Sequence, residues 1–259
     1  MGAGPLPQTA PTPTSVKQLG IIAALPAEAR CLTGKIDTSN ALSSPQQLSE
    51  HVSLNISGIG AKQAANAASD LIQHGAAALL SWGCAGALGP DVQAGELLLP
   101  QIILPEASDA LHTDSAWRAH LLRQLSDRLK PVSGALAGSA TIISEAAQKQ
   151  ALLQSCGAVA VDMESAAIAM VAQEAQLPFM AIRAIADDAE TSIPAYINSA
   201  MDIYGNINPV QMTALLLKHP ASWPQLIRLG RQFSAATSTL SLVAETLGVD
   251  SLLPPGQPD

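Results

Sequence analysis

Residues 158–187 read AVAVDMESAAIAMVAQEAQLPFMAIRAIAD, and the periodicity changes twice along them. Ala158–Val161 is a short apolar run that fits a strand, Met163–Ala175 is Ala-rich and suits a helix, and Phe179–Ala186 is a second apolar run closed by the acidic pair Asp187-Asp188. A strand, a helix and a strand in such close succession favour a parallel sheet covered by helices, because a crossover of this kind returns the chain in its original direction.

The same rhythm extends toward both termini. Leu19–Leu25 and His51–Ser57 read as strands, Ala61–His74 as a helix, and Ala77–Trp82 as a buried strand after Gly75. A strand near Glu96–Leu104, an amphipathic helix near Ser115–Leu129 and an apolar strand near Ala135–Ile143 follow. Helices over 208–218 and 223–247 finish the chain, separated by Pro220 and Pro224, which remove backbone donors and restrict the residues before them. No internal repeat is present. The expected fold class is α/β: a single-domain three-layer sandwich over 18–259, with a twisted, largely parallel mixed sheet covered by helices and a C-terminal helical extension at about 208–250. Residues 1–17, rich in Pro, Thr and Gly, are expected to form a disordered tail.

Composition excludes several function classes. Of the 259 residues 48% are hydrophobic and only 13% charged, and the formal net charge is -8, so the basic footprint that a phosphate backbone demands is missing and nucleic acid is not an expected partner. Cys31, Cys84 and Cys156 are odd in number and widely spaced, which fits reduced thiols in a cytoplasmic protein better than a disulfide framework. Neither CxxC nor HExxH occurs, and no metal or organic cofactor is expected. The N-terminal stretch lacks the basic and apolar regions of a signal, and no segment approaches the roughly 20 apolar residues of a membrane span.

Ligands of open α/β sheets sit beyond the carboxyl ends of the strands, so the polar residues that follow each strand are the candidates for chemistry. Four places qualify: Glu28, Gly83-Cys84-Ala85-Gly86, Asp162-Met163-Glu164, and Asp187-Asp188. Each has a plainer reading when taken alone. Glu28 and Glu164 fit the first turn of a helix, where a carboxylate meets the positive end of the dipole, and Asp162 fits a helix cap. Asp187-Asp188 fits a solvated loop pair in which one acid need matter. Cys84 fits a small buried apolar group, and Gly58 and Gly60 a tight strand-to-helix turn. The five scattered histidines receive no role.

Four motifs in fixed order favour the functional reading: GIIAALPAEA at 20–29, SGIGAKQAA at 57–65, SWGCAGALGPDVQAGELLLP at 81–100, and AVDMESAAIA through RAIADDA at 160–189. Together they resemble the nucleoside phosphorylase and nucleosidase superfamily, over roughly Leu19 to Asp187. In its methylthioadenosine and adenosylhomocysteine nucleosidases, the resemblance implies that Glu28 activates water, that Glu164 holds the ribose hydroxyls with Met163 against the sugar, and that Asp187 assists protonation of the base at N7. Ile142 and Ile143 match the segment lining the base pocket, with Ile142 where an aromatic residue is usual. Cys84, Ala85, Gly86, Asp162 and Arg183 complete the substrate-binding set that the resemblance implies.

The implied reaction is cleavage of the N-glycosidic bond of an adenine nucleoside. Three carboxyl groups suit it, since the departing base must gain a proton, the ribose develops positive charge and water must be activated. Phosphorylases of the superfamily carry an arginine and a serine for phosphate in a stretch like Arg-Val-Gly-Ser-Cys-Gly, where this chain has Ser81-Trp82-Gly83-Cys84-Ala85-Gly86. A neutral serine is a poor substitute for a bidentate arginine, so water is the expected nucleophile, with phosphorolysis served by Arg30 or Arg183 as the alternative. A non-catalytic nucleoside- or lipid-binding protein is a third reading, disfavoured because all three carboxylate positions are filled.

VDMES at 161–165, LPFMAIRAIAD at 177–187, and Lys218-His219-Pro220 before a long helix resemble the hopanoid-associated phosphorylase group, which implies adenosylhopane as substrate. The last helix carries Trp223, Leu226, Ile227, Leu229 and Phe233 near helical spacing beside Lys218, Arg228 and Arg231, a pattern that suits core or dimer packing and also a peripheral contact with the inner face of a membrane. A small-molecule nucleoside and a second copy of the chain, in a homodimer or larger homo-oligomer, are the partners the resemblance implies.

Overall fold

A computed structural model describes residues 18–33, 44–194, 202, 204–205 and 218–255. The expected tail and nearly all of the expected helix at 208–218 lie outside these residues.

The described chain forms a ten-stranded mixed sheet with helices on both faces. Its strands are β1 (Gln18–Ala23), β2 (Gln46–Gln47), β3 (Val52–Ile56), β4 (Ala76–Ala87), β5 (Leu97–Leu98), β6 (Ile102–Leu104), β7 (Leu111–His112), β8 (Ala135–Gly138), β9 (Ala160–Asp162) and β10 (Phe179–Asp187). The helices are α1 (Pro26–Thr33), α2 (Ala61–Gln73), α3 (Ser115–Leu125), α4 (Ala146–Cys156), α5 (Ser165–Glu174) and α6 (Trp223–Leu247). The near-continuous apolar runs of the central strands follow from burial on both faces. On β1, Leu19, Ile21 and Ala23 enter one core with Trp117 and Leu121 of α3 and Leu240 of α6. Ile22 of the same strand enters the other, with Ala64, Ala68 and Leu71 of α2 and Ile168 of α5.

Several expectations need correction. The strand expected to stop at Trp82 continues to Ala87, because Gly83–Gly86 keep pairing with β10 after β1 has ended. The strand expected near Glu96–Leu104 is split in two around Pro100, which has no donor for the ladder. The strand expected to reach Ile143 stops at Gly138, and β7 and α4 had not been foreseen.

The topology explains where the site falls. Along Leu79–Trp82, β4 has β1 on one edge and β10 on the other, both parallel to it. At Gly86 it pairs with Asp187 of β10 and, antiparallel, with Val161 of β9. Since β10 holds one edge throughout, β9 must share the other edge with β1, running toward it from the opposite end. The carboxyl ends of β1, β9 and β10 therefore converge on residues 83–86 of β4.

Candidate active site

The convergence encloses a cavity of about 230 Å³, room for a small molecule and not a polymer. Glu28, Asp162, Glu164 and Asp187 line it, with Cys84, Ala85 and Gly86 on the β4 side and Met163, Ile142 and Ile143 around them. Arg183 alone of the expected set lies outside the wall. The cavity also meets Thr141 and Ile193, which the sequence reading did not single out, and Phe233 of α6, which it had assigned to a packing or membrane face.

Glu28 reaches the cavity because α1 starts immediately after β1 and turns its first-turn carboxylate inward. Its Oε2 accepts the Leu25 N–H at 2.9 Å and its Oε1 accepts the Cys84 N–H at 2.8 Å. The Trp82 indole donates to the Glu28 carbonyl at 3.0 Å, tying helix to strand. The side chain is buried, not the exposed first-turn acid that composition alone would allow. Burial pushes its pKa up, opposed by the charge of Arg183 and by the backbone donors. A Cβ on Gly83 would lie 2.6 Å from Glu28 Oε1, so a residue without a side chain is required where the carboxylate crosses β4.

Glu164 stands at the N-cap of α5 and accepts the Gly60 N–H at 2.8 Å, which gives the turn before α2 a part in the site. Its pKa is raised to about 7 by burial and by the neighbouring Asp162, against the lowering effects of the Gly60 donor and Arg183. Asp162, also in the cavity wall, is ion-paired from behind. Arg183 Nε donates to Asp162 Oδ2 at 2.7 Å, and its Nη2 reaches Ser81 Oγ at 2.5 Å and Ser165 Oγ at 3.0 Å. Arg183 is thus a buried support for Asp162, committed to protein partners, and Arg30 is exposed on α1.

Asp187 ends β10, and its Oδ1 sits 3.1 Å from where a Cβ on Gly86 would be, so a second glycine of β4 makes room for a second carboxylate. Burial raises its pKa, opposed by Lys149, whose ammonium contacts Oδ2. Asp188 turns away, accepting from Ala94 N–H at 2.8 Å and Arg228 Nη2 at 3.0 Å and from Gln232. Of the two adjacent acids only Asp187 lines the cavity. Cys84 is a half-buried thiol, its pKa pushed well above the usual value by desolvation and by Glu28, so it shapes the wall and supplies no thiolate.

Among the described residues no lysine, arginine or histidine lines the cavity, and no cluster of three or more His, Cys, Asp or Glu is placed to hold a metal ion. The buried cations, Arg183 and Lys149, stand behind carboxylates. The cavity wall therefore presents acids without an exposed counter-charge, an arrangement that favours positive charge developing in a bound molecule and disfavours an anion.

The sequence profile described as Phosphorylase superfamily matches residues 19–202. No curated protein matches the chain in sequence. Solved structures with the same fold include a futalosine hydrolase of Helicobacter pylori strain 26695, with TM-score 0.65 and 17% identity over 92% of this chain and 97% of that one. The 5'-methylthioadenosine/S-adenosylhomocysteine nucleosidase from Neisseria meningitidis, in complex with methylthio-immucillin-A, has TM-score 0.67 and 19% identity over 89% and 98%. The Helicobacter pylori 5'-methylthioadenosine/S-adenosyl homocysteine nucleosidase has TM-score 0.63 and 17% identity over 90% and 96%.

Proposed function

The chain belongs to the Phosphorylase superfamily, and from that premise we propose that it hydrolyses the N-glycosidic bond of an adenine nucleoside with an apolar 5′ substituent. The observation that carries the reading is the convergence of Glu28, Glu164 and Asp187 on one cavity whose described wall holds no cation. Phosphate would have to enter against these carboxylates without an arginine or lysine to receive it. Water has no such requirement. The similar structures that are named as a hydrolase and as nucleosidases point the same way.

In this reading Glu164 holds the ribose hydroxyls. Asp187 gives a proton to N7 as the electron pair of the C1′–N9 bond moves into the adenine, and the ribose gains oxocarbenium character. Glu28, ionised, takes a proton from water as the water oxygen bonds to C1′. Negative charge around the ring stabilises the transition state more than the neutral substrate, which is the condition for rate acceleration. Cys84, Ala85 and Gly86 form the floor, Met163 packs on the sugar, and Ile142 and Ile143 cover the base. Asp162 and Arg183 fix the strand end that presents Glu164.

The apolar 5′ group is supported by Phe233, Ile193 and Ile59 in the same wall, and adenosylhopane by the resemblance of 161–165 and 177–187 to the hopanoid-associated group. A homo-oligomer and a peripheral membrane contact belong to the same proposal. Incubation with methylthioadenosine, adenosylhomocysteine and adenosylhopane, with and without phosphate, tests it. Adenine release with free ribose-type product and no phosphate requirement is expected. Release that depends on phosphate and yields a sugar 1-phosphate would establish phosphorolysis instead.

A further inference from the structure

Behind Asp187, on the side away from the cavity, lies a group that none of these steps uses. Lys149 is the buried residue of α4, only 1% exposed. Its Nζ donates to Asp187 Oδ2, to the Asp188 carbonyl at 2.7 Å and to the Thr191 carbonyl at 3.0 Å. Three acceptors match the three N–H bonds of an ammonium group. Burying such a charge is tolerated only when it is paired and hydrogen-bonded, and an apolar side chain would fill the space without that demand.

The helix that carries Lys149 is fixed at both ends. A capping box of Glu145 and Gln148 starts it, and Gly157 in the left-handed conformation closes it. The Ile193 N–H donates to the Ser144 carbonyl at 2.7 Å, joining the segment after Asp187 to the start of the helix. The position of Nζ is thereby set relative to the end of β10.

Lys149 takes Oδ2 and leaves Oδ1 on the side where Gly86 provides space. The other charges around Asp187 are accounted for. Asp188, next in the chain, is held by Arg228 of α6, Asp162 of β9 is held by Arg183, and Glu28 and Glu164 face it across the cavity. Among the described residues Lys149 is the cation paired with Asp187.

We propose that Lys149 is a positioning residue that makes Asp187 an effective acid toward the leaving group: it fixes one oxygen and stabilises the carboxylate left when the other gives up its proton. The O–H bond at Asp187 Oδ1 breaks, an N–H bond forms on the base, and the glycosidic electron pair leaves with the base. Lys149 keeps all its protons. The identity of the acid rests on the nucleosidase reading, and the dependence on the leaving group is specific to Lys149.

The test compares Lys149→Met with the unsubstituted protein on an adenine nucleoside and on a nitrophenyl β-riboside, whose leaving group departs without a proton. Adenine release should fall about a hundredfold while nitrophenolate release stays within about threefold. The alkaline limb of kcat/KM for adenine release should move to higher pH, because Asp187 keeps its proton longer without the ammonium. Equal losses on both substrates, or an unmoved limb, would overturn the proposal. If the single variant does not fold, Lys149→Met with Asp187→Asn removes both charges and is compared with Asp187→Asn alone. Equal rates support the proposal, and a further loss of about tenfold or more defeats it. If the unsubstituted protein cleaves neither compound, the nucleosidase reading fails by itself. Carbon-13 NMR of the Asp187 carboxyl, assigned with Asp187→Asn, then decides on Lys149: titration at higher pH in Lys149→Met is expected, and unchanged titration refutes it.

Discussion

Replacing Glu28 by Gln leaves the shape of the side chain but sets an amide NH2 against one of the two backbone donors, at Leu25 or Cys84. Turnover should fall about a hundredfold or more with KM little changed, as expected when a general base is lost and binding is kept; steady-state kinetics would expose near-normal turnover. Glu164 is best tested through stability. Its pKa is raised to about 7 from the 4.5 of an ordinary glutamate, so its protonated form is the one the fold favours. Its contribution is greatest below pH 4.5, declines as pH rises through about 7 and is flat above, a loss of about 3 kcal/mol. Glu164→Gln should flatten that slope in denaturant titrations at pH 5 and pH 8, and a slope equal to the parent's would remove Glu164 as its source. These acids were legible in the sequence because each closes a strand or opens a helix. Lys149 was not, because a lysine in AAQKQALLQSC, the sequence of α4, carries no mark of the carboxylate it meets across 38 residues of chain.

At the scale of elements, β4 is the strand on which the site is built, and its glycines are specific to the acids beside them. A methyl group at Gly83 would meet the end of a flexible side chain, not the backbone. Glu28 must move, and the φ of +156° at Gly83 is one that a residue with a side chain rarely adopts, so backbone strain adds to the clash. Gly83→Ala should therefore cut turnover about tenfold or more and also cost stability, by about 1–3 kcal/mol, measured by kinetics beside thermal unfolding; near-normal turnover would contradict this account. The apolar runs of β1, β4 and β10 announced these strands, since double-sided burial needs such runs. The extension of β4 through Gly83–Ala87 was hidden because glycine and alanine weaken the strand signal, and only pairing with β9 and β10 reveals it. Helix α4 was hidden for a related reason: it buries a lysine where an apolar stripe would have betrayed it.

For the molecule as a whole, α6 combines two roles that sequence spacing had blended. Ala236, Leu240, Val243 and Leu247 are core residues, whereas Trp223 and Ile227, at 47% and 55% exposed, stand out from the first turns. Removing the helix would therefore open the core, so a membrane contact is tested by substitution. Ile227→Gln should leave thermal stability nearly unchanged and weaken co-flotation with anionic vesicles; flotation that is unaffected, or that the parent protein never shows, argues against contact through this face. Among the described residues no helix is long and apolar enough to cross a membrane. The alternation of strands and helices conveyed the class of fold, while the head-to-head meeting of β1 and β9 on one edge of β4 could not be read from it. Pairing partners distant in sequence leave no local trace.

The grip of Arg228 and Gln232 on Asp188 makes α6 a lever. At about 1.5 Å per residue the helix is nearly 40 Å long, with one end in the core, the other at the surface, and its N-terminal half clasped to the residue beside the proposed acid. Phe233 of the same helix lines the cavity, and any effect of cavity occupancy on the docking of the helix must be matched by an equal effect of docking on binding. Binding of a nucleoside analogue should slow amide hydrogen exchange around Arg228–Gln232, and exchange there that ignores the ligand would show that the clasp transmits nothing.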